Sequence, residues 1–127
     1  MAFTTKRRVV LLADDEVLIR NLVRLSLEGE GFQVLSAADG LEALALSRNY
    51  PGKIDVLLTD IDMPNLDGIS LTERIMAERP DIKVLFMSGR LTSPVCINSL
   101  EAKLLSKPFS PQGLVEMVRG LFLTATL

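Results

Sequence analysis

The chain has 127 residues, 48% hydrophobic and 24% charged, with a formal net charge of −2. That size and composition fit one globular domain with its own core and argue against nucleic acid as the main partner. One cysteine, Cys96, and no histidine exclude an internal disulfide and a histidine base or phosphohistidine on this chain, and they disfavour zinc.

The basic run Lys6–Arg8 reads as a solvated lead-in to the first strand. No signal peptide is visible, and no apolar stretch approaches the ~18 residues that would span a bilayer. The expectation is a cytoplasmic domain without membrane contact.

Arg8–Ala13 is a continuous apolar run, as in a strand buried on both faces. After Glu16, Leu18, Leu22 and Leu25 recur at helical spacing, and Gly29 or Gly31 ends that helix. Phe32–Ala37 predicts a second strand. Asp39 then offers a helix cap with Glu42 as its capping-box partner. Leu41, Leu44 and Ala45 form that helix's stripe, and Tyr50–Gly52 breaks it.

Ile54–Asp60 predicts the third strand, and Asp67 caps a third helix carrying Leu71 and Ile75. Lys83–Ser88 is the fourth strand. Ser93–Ser99 predicts a short helix, with Ser93 as cap, Pro94 at its first position and Cys96 partly buried. Ala102–Ser106 is the fifth strand. Ser110 and Pro111 repeat the cap-then-proline signal, and Leu114, Val118 and Leu121 mark the last helix. The apolar tail Leu121–Leu127 extends that helix, or marks where a longer chain was cut. Strands alternating with helices predict an α/β fold: a doubly wound five-stranded parallel sheet with five helices on its two faces. It forms one domain over residues 1–127, with a core of about 7–123.

In such a sheet ligands bind outside the carboxyl ends of the strands. Those ends carry Asp14, Asp15 and Glu16 on the first strand, Asp60 on the third, Ser88 on the fourth and Lys107 on the fifth. Each residue alone has a bland reading: helix cap, turn acid, loop hydroxyl or surface lysine. Together they describe a pocket. Two carboxylates ~4 Å apart repel by about 4 kcal/mol at an effective dielectric near 20. Three such pairs therefore call for a hard divalent cation, and magnesium takes this kind of oxygen set. Lys107 can pair with phosphate and Ser88 can donate to it. The chemistry is phosphoryl transfer, with a carboxylate as candidate nucleophile.

At these residues the sequence resembles the receiver domain of two-component response regulators. The likeness is carried by Asp14–Asp15, Asp60 in "DIDMPNLDG", Ser88 in "MSG" and "KPF" at Lys107–Phe109. It implies a flavodoxin-like sheet of strand order 2-1-3-4-5. It implies that Asp60 takes phosphoryl from a phosphohistidine on a histidine kinase or histidine phosphotransfer protein. Magnesium is then ligated by Asp15, Asp60 and the backbone carbonyl of Asp62, with Asp14 acting through metal-bound water. Ser88 moves to the phosphoryl group, Lys107 pairs with it, and Gly89 leaves room beside Asp60. The bond before Pro108 is commonly cis. The helix 4, strand 5 and helix 5 face switches, and the domain catalyses its own phosphorylation and dephosphorylation without being an enzyme in the ordinary sense. From the residues themselves, Asp67 reads as a helix cap.

Three departures stand out. Leu104 occupies the place of the family's switch aromatic. The stretch from Ser88 to Lys107 is short, so the fourth helix is expected to be short or irregular. Asp62 adds a side-chain acid beside the site, expected to alter dephosphorylation or metal affinity; unchanged phosphoryl lifetime and magnesium affinity in Asp62→Asn would refute that. The "LLSKPF" ending is similar to receivers attached to hybrid histidine kinases, or to a stand-alone relay. Two rival readings differ in kind. One is a haloacid-dehalogenase-type phosphatase using Asp60 and Asp62, although its acidic pair would follow the lysine. The other is a receiver-fold interaction module that works without phosphorylation.

Overall fold

The computed structural model describes residues 7–89, 95–97 and 100–123. Lys6, Ser93, Pro94, Asn98, Ser99 and residues 124–127 lie outside them, and so do the readings made on those positions. The elements run β1 (Val9–Ala13), α1 (Val17–Glu28), β2 (Gln33–Ala37), α2 (Gly40–Asn49), β3 (Val56–Asp60), α3 (Gly68–Glu78), β4 (Lys83–Ser88), β5 (Val95–Ile97), β6 (Leu100–Ser106) and α4 (Pro111–Gly120). Five strands pair in parallel in the order β2-β1-β3-β4-β6, and β5 adds to the outer side of β6 in antiparallel.

The apolar runs become central strands because alternate residues serve opposite faces. Val10 and Leu12 of β1 join Val23 and Leu27 of α1 and Leu114 and Val118 of α4 in one core layer. Val9, Leu11 and Ala13 join Leu44 of α2 and Leu71 and Ile75 of α3 in the other. All five residues of β1 and all five of β3 are buried, as expected of strands covered on both sides.

Three helix starts follow the capping signals. Asp39 accepts the Glu42 N–H at 2.8 Å, Asp67 accepts the Ser70 N–H at 2.8 Å, and Ser110 accepts the Gly113 N–H at 2.9 Å. The backbone N–H of Ser70 also holds the Asp67 carboxyl below the usual range. Asp67 is thus a cap, as its position after the loop suggests.

Four expectations need correction. Leu18 is 83% and Leu25 60% exposed; the sheet-facing residues of α1 are Val23 and Leu27, with Ile19 packed against them. The helix carries two parallel apolar stripes, and periodicity does not choose between them. On α2, Leu44 is buried, but Leu41 and Ala45 face solvent while Ala43 and Ser47 turn inward. Among the described residues the start of the tail does not extend α4: Leu121 is its C-cap and the chain turns there.

The fourth correction concerns Ser93–Ser99. Val95–Ile97 is not helix but β5, hairpin-paired to β6 through Val95 with Ala102, Cys96 with Glu101 and Ile97 with Leu100. Cys96 is therefore a strand residue. The parallel β4–β6 connection is short for a helical crossover, which usually takes a dozen or more residues. Its β-branched pair, Val95 and Ile97, suits a strand. Four helices, not five, are present among the described residues.

Candidate functional site

The strand order reverses between β1 and β3, which opens a crevice at their carboxyl ends. Asp14 follows β1, Asp60 ends β3, Ser88 ends β4 and Lys107 follows β6. Asp14 and Ser88 are buried, Asp60 is 7% exposed, and Asp15 is open to solvent. Carboxylate oxygens of Asp14, Asp15 and Asp60 all lie within 4.8 Å of one another.

Lys107 is placed by the sheet: its N–H donates to the Ser88 carbonyl at 2.8 Å, continuing the β4–β6 ladder. The following bond to Pro108 is cis, as the resemblance implied. Lys107 Nζ then donates to Asp14 Oδ2 at 3.0 Å, Glu16 Oε1 at 3.0 Å and Asp60 Oδ2 at 3.1 Å. Burial works against the ammonium, but the bonds to Asp14, Glu16 and Asp60 outweigh it and raise its pKa. Burial likewise pushes the Asp14 carboxyl above its ordinary 3.8, against the pull of the Glu16 N–H and Lys107. Three carboxylates share one ammonium, and Asp15 adds a fourth acid beside Asp14 and Asp60, which leaves an acidic pocket. This all-oxygen set fits a hard divalent cation.

The loop after β3 is held by contacts the chain order does not announce. Asn65 takes φ +69° and donates from Nδ2 to Asp39 Oδ2 at 2.7 Å, tying the loop to the α2 cap. Gly68 donates to the Ile61 carbonyl at 2.8 Å, and a Cβ there would overlap the Asp60 carbonyl oxygen. The Asp62 N–H lies 3.4 Å from Asp60 Oδ1, while the Asp62 carboxylate is not part of the carboxylate trio.

Among the described residues, a Cβ on Gly89 would meet only Lys107 Cβ, at an ordinary 3.9 Å. Leu104, at the place of the family's switch aromatic, packs as an aliphatic against the Ile61 and Phe86 cluster, with no ring to rotate. Sequence reasoning missed Glu16 as a Lys107 partner and Arg20, whose Nη1 donates to the Asp14 carbonyl at 2.7 Å. The only signal for Glu16 was its place after the acidic pair.

A doubly wound sheet with an acid-lined crevice at its switch point defines a class of signalling domains. The chain belongs to the response regulator receiver domain family, which matches residues 10–119. It is 35% identical over 124 residues to the response regulator receiver protein CpdR of Brucella abortus, covering 94% of this chain and 99% of that protein. It is 35% identical over 115 residues to the sensor kinase CckA of the same organism, covering 88% of this chain but only 12% of the kinase's length. The solved structure of the chemotaxis response regulator CheY4 of Vibrio cholerae superposes with a TM-score of 0.82 at 28% identity, over 92% of this chain and 100% of that one. The chain is a receiver domain of two-component signal transduction. No helix among the described residues is long and apolar enough to cross a membrane.

Proposed function

We propose that Asp60 accepts a phosphoryl group from the phosphohistidine of a histidine kinase or histidine phosphotransfer protein. The observation that carries this reading is the Lys107 ammonium bridging Asp14 and Asp60 at 3.0 and 3.1 Å in the switch-point crevice. An Asp60 carboxylate oxygen attacks phosphorus, the P–N bond to the donor imidazole breaks, and the imidazole leaves with its electron pair and takes up a proton. On this reading Lys107 and Ser88 meet the phosphoryl oxygens. Asp14, Asp15, Asp60 and the Asp62 carbonyl would hold magnesium, which when bound offsets the acids' charge and polarises a phosphoryl oxygen.

The acyl phosphate forms and hydrolyses by the domain's own groups on this reading. The added charge, roughly −2, draws Ser88 and Lys107 and so moves the ends of β4 and β6. The readout face is then β6 and α4 with the β5 hairpin, in place of a fourth helix. Exposed Val17 and Leu18, at the start of α1 directly after the acids, offer the donor an apolar approach. The reading is of a cytoplasmic chain, stand-alone or carried by a hybrid kinase, with no nucleic acid or membrane contact of its own.

The test is incubation with magnesium and acetyl phosphate, and with candidate phosphorylated histidine kinases. The native chain should gain one phosphoryl group by intact mass, mapped to the Asp60 peptide, and Asp60→Asn should gain none. Equal labelling of Asp60→Asn would move the acceptor elsewhere. No labelling, with partner binding unchanged in Asp60→Ala, would favour a phosphorylation-independent interaction module.

A further inference from the structure

Lys107 has three ammonium N–H donors, and each has a carboxylate partner: Asp14, Glu16 and Asp60. The three partners differ in what holds them. Asp14 is fully buried, and its Oδ1 accepts the Glu16 N–H at 2.9 Å, so it is fixed at the floor of the crevice. The Asp60 side chain is 11% exposed and belongs to the strand end. The Glu16 side chain is 59% exposed and lies on the solvent side, from which a phosphoryl group must arrive. Its oxygen occupies a Lys107 donor that an incoming phosphoryl oxygen needs, and its charge opposes that group's charge. Both effects have the same sign. Releasing Glu16 into water breaks only a half-exposed ion pair, which holds weakly.

We propose that Glu16 is a latch on Lys107: a positioning residue that holds the ammonium in the resting state and competes with the phosphoryl group for it. The inference rests on Asp60 as acceptor and names a brake on that same site. The test compares the native chain with Glu16→Gln at saturating magnesium. Three readouts are followed: affinity for beryllofluoride, a tetrahedral mimic of the acyl phosphate; the rate of phosphorylation by acetyl phosphate; and the NMR signals of the Lys107 ammonium. Glu16→Gln should bind beryllofluoride about threefold to fivefold more tightly, take phosphoryl faster, and shift the Lys107 signals before any phosphoryl is added. A native chain that takes both ligands while Glu16→Gln leaves affinity, rate and Lys107 signals unchanged overturns the latch alone. A native chain that takes neither overturns the Asp60 reading and the latch with it.

Discussion

Lys107→Met is expected to lower the free energy of unfolding by about 3 kcal/mol in chelator, the order expected when one partner of a buried ion cluster is removed. Its side chain is 12% exposed, and its removal leaves Asp14, Glu16 and Asp60 without their shared cation. The sign with pH follows from the two groups. Lys107 has a raised folded pKa, so its stabilisation is complete below its ordinary 10.5 and is lost only as pH rises through the folded value. Asp14 is an acid whose folded pKa is already above 3.8, so it costs stability once ionised. Without Lys107 that penalty grows. The variant's stability should therefore fall more steeply than the native chain's as pH rises from about 4 toward neutrality. Magnesium should restore much of the loss, because a ligand that binds only the folded chain adds stability by mass action. Urea titrations in chelator and in magnesium, at several pH values, measure all of this. A variant as stable as the native chain in chelator would show that the cluster contributes no net stability.

Gly68→Ala is expected to destabilise by on the order of 3 kcal/mol, the upper range for steric overpacking. Helix propensity alone points the other way: Gly68 opens α3, and alanine in a helix interior is favoured over glycine by about 1 kcal/mol. The close approach decides. A Cβ at Gly68 would overlap the Asp60 carbonyl oxygen and crowd Ile61 Cα at 2.9 Å, and backbone on both sides has little freedom to move. The Asp60–Asp62 loop must then shift, so magnesium affinity should fall along with stability. Gly120→Ala is the control, because among the described residues a Cβ there meets nothing within 4 Å. Equal effects of the two substitutions in urea titration would refute the packing argument.

Much of the site was readable because its parts sit at strand ends. A hydrophobic run that stops in an acid, a hydroxyl or a lysine marks such an end, and the sheet topology brings Asp14, Asp60, Ser88 and Lys107 to one edge. Asp67 was readable as a cap because capping is local chemistry between it and Ser70. Glu16 was not, because its partner lies 91 residues away and nothing in its neighbourhood calls for a lysine. The face of α1 was not readable either: Leu18, Leu22 and Leu25 repeat as well as Ile19, Val23 and Leu27, and only docking against β1 and β2 selects the second set.

The amino-acid sequence by itself determined the order of strands and helices outside the β5 segment, the caps, and which residue types stand at the carboxyl ends of the strands. Those are short-range properties: apolar runs, periodicity and side-chain bonds to nearby backbone. Only the tertiary structure decided that β5 replaces a helix, that Gly68 lets α3 start against the Asp60 backbone, and that three carboxylates share one ammonium. These depend on distances between elements far apart in the chain, which local pattern does not encode. For "VLLTDIDMPNLDG" the result is a division of labour: Asp60 faces Lys107, Asp67 caps α3, and the Asp62 carboxylate stands outside the carboxylate trio.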